Sequence, residues 1–232
     1  MLLTDLLDML TDGELAQLSI GGSESGTIEA SDYRKVVNFI NRASKAIHTR
    51  FPLLLKQTFI QQYDHISTYY LNIRYAQSNT ASTETYKYIV DYSTEPFMGN
   101  VLKIDQVYDE DGQEVPLNDT SYTYSVFTPS FNSIQVPYPN SDNALNVIYR
   151  SCPDTISKSV SDISNTEIDI PDSVLEPFLT YINYLAYLHF NNGQEANNLL
   201  NKYSAQCLEL DRVGMIQTDF TTNVKLWRDG WV

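Results

Sequence analysis

The sequence runs to 232 residues, with 29 acidic against 15 basic side chains and a formal charge of −14. Its 42% hydrophobic content is ample to bury a core, in one large domain or two small ones, without covalent staples. So large an acidic excess disfavours a surface-wide grip on nucleic acid, which needs clustered lysine and arginine, yet it lets DNA slide past.

No stretch approaches the roughly 20 apolar residues that span a bilayer. The opening residues, MLLTDLLDML, carry acids where a signal peptide carries lysine or arginine, so a soluble protein made without an export signal is expected. Cys152 and Cys207 have neither metal nor redox spacing and read as two reduced thiols.

In chain order, Leu3, Leu6, Leu7 and Leu10 at helical spacing predict a short helix, and Thr11 to Glu14 fits a capping box opening a further turn through Leu18. Residues 19 to 30, with three glycines, read as a loop. Ser31 or Asp32 can cap the next helix, on which Tyr33, Val36, Val37, Ile40, Ala43, Ile47 and Phe51 recur at three and four residues. Its other face holds Arg34, Lys35, Arg42, Lys45 and Arg50. Pro52 should stop it.

From there to about residue 150 the period becomes two. Tyr69, Leu71, Ile73 and Tyr75 predict one strand and Tyr86, Tyr88, Val90 and Tyr92 another, with further strands at 101–108, 121–127, 133–137 and 144–150. Asp111-Gly112 marks a hairpin turn. Twelve of the 17 tyrosines fall between residues 51 and 152, so the β section should be an antiparallel, half-exposed sheet with a stiff aromatic surface.

Residues 153–172 lack periodicity and lead to Ser173 and Glu176 at capping-box spacing, with Pro177 in the first turn of a buried helix. After Asn191-Asn192-Gly193, the stripe Ala196, Leu199, Leu200, Tyr203, Cys207 and Leu210 predicts a last helix ending near Gly214, which makes a helical hairpin. The tail after it spaces Phe220, Val224, Leu226, Trp227 and Trp231 through polar residues.

These elements describe an α+β fold: a helical frame, made of an N-terminal helix plus a C-terminal helical hairpin, carries an inserted antiparallel β section and an extended C-terminal tail. The expected boundaries are 1–51 for the N-terminal helices, 52–152 for the β section, 153–214 for linker and hairpin, and 215–232 for the tail.

Motifs for chemistry are scarce. His48, His65 and His189 lie apart, with no second ligand type at metal spacing, and read as solvated or core histidines. Nucleophile-elbow, phosphate-loop and dinucleotide signatures are absent from the sequence. Asp109 to Gly112 resembles the start of a calcium loop but lacks the closing glutamate, which favours the hairpin turn. No catalytic residue, metal or cofactor is assigned.

Two features stand out. The basic helix face is either solvated or a contact for an acidic neighbouring subunit or passing DNA. The tail tryptophans either fold back on their own domain or anchor in a partner as hot spots or an added strand.

Four stretches, covering about half of the chain, resemble the head-to-tail adaptor (connector ring) proteins of tailed bacteriophages. They are YRKVVNFINRASKAIHTRF (Tyr33 to Phe51), NVIYRSCPDTI (Asn146 to Ile156), EIDIPDSVLEPFLTYINYLAYLHF (Glu167 to Phe190) and GQEANNLLNKYSAQCLEL (Gly193 to Leu210). The resemblance implies a non-enzymatic virion protein at the head–tail junction, assembled in the host cytoplasm without a membrane or cofactor. It implies a homo-oligomeric ring, commonly a dodecamer, beneath the portal protein, with tail or nozzle proteins below and double-stranded DNA passing transiently through. Phe220, Val224, Leu226, Trp227 and Trp231 would then form the portal-docking tail, and Arg34, Lys35, Arg42 and Lys45 the lateral or DNA-facing contacts. A second reading treats the tyrosine-rich β section as a binding module for a glycan or host receptor. An unrecognised hydrolase is disfavoured, because no base, nucleophile and orienter can be named.

Overall fold

A computed structural model describes residues 1–16, 18, 28, 32–157 and 165–214, apart from the side chain of Glu14. The fold is α+β, with helices and antiparallel sheets. The chain divides into two compact units: one formed by the described residues of Met1–Ala43 and Ile156–Val232, the other by Ser44–Thr155. The expected tail lies outside the described residues.

In the helical unit, α1 (Leu3–Met9) runs straight into a π-helical turn, Leu10–Glu14, closed by a 2.7 Å bond from Leu15 N–H to the Leu10 carbonyl. The expected capping box is therefore not formed. The Thr11 hydroxyl donates back to the Leu7 carbonyl at 2.8 Å, so it is engaged with the preceding turn rather than capping a new one. Leu3, Leu6, Leu7, Leu10 and Leu15 are all buried. The chain before α1 is zipped to residues 166–168: Leu3 N–H donates to the Thr166 carbonyl, and Ile168 N–H to the Met1 carbonyl, each at 2.8 Å.

The helix α2 (Tyr33–Arg50) stops two residues before Pro52, as the steric rule demands. Its inward face includes Val36, Val37, Ile40, Ala43 and Ile47, joined by Phe39, which the stripe had not included. The division between the units falls inside this helix, at Ala43 and Ser44. Asn41 makes a reciprocal clamp where the chain returns to the helical unit. Its amide donates to the Ile156 carbonyl and its Oδ1 accepts from Ile156 N–H, both at 2.9 Å.

The helix α3 (Leu175–His189) follows a 3-10 turn at Asp172–Val174. Its N-cap is Val174 and no side chain caps it, so the Ser173–Glu176 capping box is also a misreading: the tight turn displaces the start by one residue. Pro177 does sit in the first turn, where its missing N–H costs nothing. The helix α4 (Gly193–Val213) is capped by the Asn192 side chain accepting from Glu195 N–H at 3.3 Å, and ends at Gly214 with φ 68°. Across the hairpin, the Tyr181 and Tyr203 rings meet at 4.8 Å.

The β unit holds two antiparallel sheets around one core. The first has the order β3 (Ile89–Val90), β1 (Leu55–Gln61), β7 (Ala144–Ser151), β4 (Val101–Tyr108). The second has the order β2 (Thr68–Tyr70), β6 (Ser133–Gln135), β5 (Phe127–Ser130). Ile60, Leu145, Val147, Ile104 and Val107 from the first sheet share a buried cluster with Tyr69 and Ile134 from the second. Each large apolar side chain fully withdrawn from water there contributes about 1.5–3 kcal/mol.

The expected strands were partly mistaken. Residues 69–75 do not run on as a strand, because both backbone groups of Tyr70 are taken by the Tyr88 hydroxyl, which accepts from the N–H at 2.8 Å and donates to the carbonyl at 3.1 Å. Asn72 then accepts from Arg74 N–H and opens a 3-10 turn at Ile73–Tyr75. Within the 86–92 run only Ile89–Val90 forms a strand, and 121–127 is a turn leading into β5. Strand β1, a central strand of its sheet, was missed.

Candidate interaction surfaces

Arg34, Lys35, Arg42 and Lys45 are all exposed on α2. At 3.6 residues per turn, Arg34, Arg42 and Lys45 fall within an arc of roughly 80°, with Lys35 at its margin. Lys35 is paired with Asp32 at 2.5 Å. Among the described residues no carboxylate lies within ion-pair distance of Arg34, Arg42 or Lys45. The Lys45 charge also reaches Cys152, where burial raises the thiol pKa and the ammonium opposes the rise. No disulfide joins Cys152 and Cys207.

The tyrosines of the β unit divide into two populations. Tyr69, Tyr88 and Tyr149 are buried, and their hydroxyl chemistry reflects it: burial pushes Tyr149 up to about 12 and raises Tyr69 and Tyr88 as well. The Tyr69 hydroxyl accepts from Tyr63 N–H at 2.8 Å, which satisfies the buried group. Tyr122, Tyr124 and Tyr138 form an exposed row with ring centroids 6.4 and 6.3 Å apart, each pair edge-on. A second cluster joins Tyr63, His65 and Tyr86, the closest rings being His65 and Tyr86 at 4.6 Å.

A third surface was not anticipated. The outward face of the four-stranded sheet carries an open groove of about 330 Å³ lined by Phe59, Tyr108, Asp109, Glu110, Asn146 and Ile148 among others. Phe59 is 43% exposed although it lies on an inner strand of the sheet. No sequence signal pointed to it, because β1 inverts the usual alternation, with Thr58 and Ile60 inward and Phe59 outward.

The Asp109–Gly112 segment is a tight turn, as the hairpin reading has it. Asp109 Oδ1 accepts from Asp111 N–H at 3.1 Å and Gln113 N–H at 2.7 Å, and Gly112 has φ 76°. Among the described residues no group of three or more His, Cys, Asp or Glu side chains is placed to hold a metal ion. His48, read as a solvated or core histidine, is buried, and its Nδ1 donates to the Ser44 carbonyl at 2.8 Å. Phe220, Val224, Leu226, Trp227 and Trp231 lie outside the described residues. Among the described residues, no helix is long and apolar enough to cross a membrane.

These surfaces belong to an α+β protein that offers charged and aromatic contact faces. Compared with protein-family models, the chain matches none, and no curated protein matches it.

Proposed function

We propose that the chain is a non-enzymatic virion structural protein, a head-to-tail adaptor whose copies form a ring between the portal and the tail and line part of the DNA conduit. The observation that carries this reading is the order of elements. A β unit, Ser44–Thr155, is inserted between two stretches of chain that build one helical unit, in keeping with the adaptor resemblance of α2, α3 and α4. The exposed cations of α2 supply material for lateral or DNA-facing contacts, and the acidic balance reduces sticking of passing phosphates. The tail bearing Phe220, Val224, Leu226, Trp227 and Trp231 is the portal anchor in this reading.

Negative-stain imaging and mass measurement of the purified protein, with and without a candidate portal, test it. A chain that ignores the portal ends the adaptor reading. Removing residues 218–232 should abolish portal attachment while leaving the circular dichroism of the body unchanged. Attachment that survives the truncation would show the anchor to be elsewhere.

The exposed row Tyr122, Tyr124 and Tyr138 favours the second reading, a β binding module for a glycan or host receptor, since aromatic faces stack on sugars. An array of glycans without a bound spot removes its glycan arm.

A further inference from the structure

Resting on the ring reading above, we infer that neighbouring copies join by seating the basic face of α2 from one copy in the Phe59 groove of the next. The groove lies wholly within the β unit. Its floor is apolar, built on Phe59, Tyr108 and Ile148, and its rim is acidic, with Asp109 and Glu110. Those carboxylates are held in place: Asp109 accepts two backbone N–H bonds, and Glu110 Oε2 accepts from Ala144 N–H at 3.2 Å. Neither forms a salt bridge with a described cation.

An apolar floor with an acidic rim suits long cationic side chains. Arginine and lysine lay their aliphatic stems on apolar surface and carry the charged head to its edge, where a carboxylate meets it. Arg34, Arg42 and Lys45 offer such heads on one helix face, without a carboxylate of their own among the described residues. In a chain of formal charge −14, most approaches between copies are repulsive, so a contact that sets this face against acids is favoured over other registers. The two surfaces differ, and each copy carries both. Such a contact is heterologous and repeats from copy to copy, closing a ring when the rotation permits.

Native mass spectrometry and sedimentation of the full chain, at low and high salt, provide the test. The wild type should self-associate, less so as salt rises. The paired reversal Arg42→Glu/Lys45→Glu, and separately Glu110→Lys, should each weaken association by about tenfold or more. Mixing the two reversed proteins should restore it, because reversed helix meets reversed hairpin and native helix meets native groove. If near-UV circular dichroism shows a reversed protein to be misfolded, Phe59→Ser takes its place and must weaken association to a similar degree.

A wild type that stays monomeric at every concentration overturns the inference, as does unchanged association of either folded variant or a mixture no better than its parts. Unchanged association of Arg42→Glu/Lys45→Glu with altered retention on double-stranded DNA assigns the helix face to DNA instead. Portal attachment is read separately: its absence with self-association intact defeats the adaptor reading alone.

Discussion

Asp91 shows how a single side chain ties together the loops on either side of β3. Its carboxylate accepts from Ser78 N–H and Phe97 N–H, each at 2.8 Å, and from the Ser78 hydroxyl. Burial, the largest single influence, pushes its pKa up, but the hydrogen bonds together outweigh it and hold the group below the usual carboxylate value. A carboxylate depressed in the folded state stabilises the fold above its unfolded value, about 3.9, and loses that contribution as pH falls through the folded value. Asp91→Asn should therefore lower stability at pH 7 in urea titrations, by about 1–2 kcal/mol once solvent screening of this partly exposed carboxylate is allowed for. The gap to wild type should close as pH falls below 3.9 toward the folded value. A constant gap at all pH values would assign the loss to shape rather than charge.

Among the elements, β4 and β7 are joined across the four-stranded sheet by a partly buried ion-pair cluster on Asp105. Arg150 Nε donates to Asp105 at 2.6 Å, Lys103 approaches the other carboxylate oxygen at 3.2 Å, and the Asp105 side chain is only 8% exposed. Lys103 still neutralises Asp105 when Arg150 is removed, whereas removing Asp105 strands the largely buried Arg150 charge, so Asp105→Leu should lower stability by about 3 kcal/mol, while Asp105→Leu/Arg150→Met should recover most of it. Thermal melts that rank the double variant below the single one would refute this. The same elements show what was legible beforehand. The three longer helices were readable because their apolar stripes are unbroken over many turns, and β4 and β7 because their runs coincide with β-favouring residues. Strand β1 escaped because Thr58 and Gln62 are buried while Phe59 is exposed, which inverts the usual alternation. The false strand at 69–75 arose from the reverse situation, an alternating run whose pairing groups at Tyr70 are satisfied by a tyrosine hydroxyl 18 residues away. The basic face of α2 was legible from helical spacing alone. The Phe59 groove was not, since it depends on which strands become neighbours.

For the molecule as a whole, the insertion of one unit into the other sets what can be separated. The Asn41 clamp holds Ile156 by two hydrogen bonds, joining chain positions 115 residues apart. Closing so long a loop carries an entropic cost that rises only slowly with length, so a short bridge in its place is tolerated about as well. Replacing Ser44–Thr155 with a few glycine and serine residues should leave a helical protein whose circular dichroism and cooperative melting persist. Loss of cooperative melting would show that the helices need the insert. Because both partners of the clamp belong to the helical unit, the β unit is a cassette whose removal leaves the clamp intact. Exchanging the cassette would change the surface shown to neighbouring proteins while rewriting, in the helices that receive it, only the end of α2 from Ser44 to Arg50.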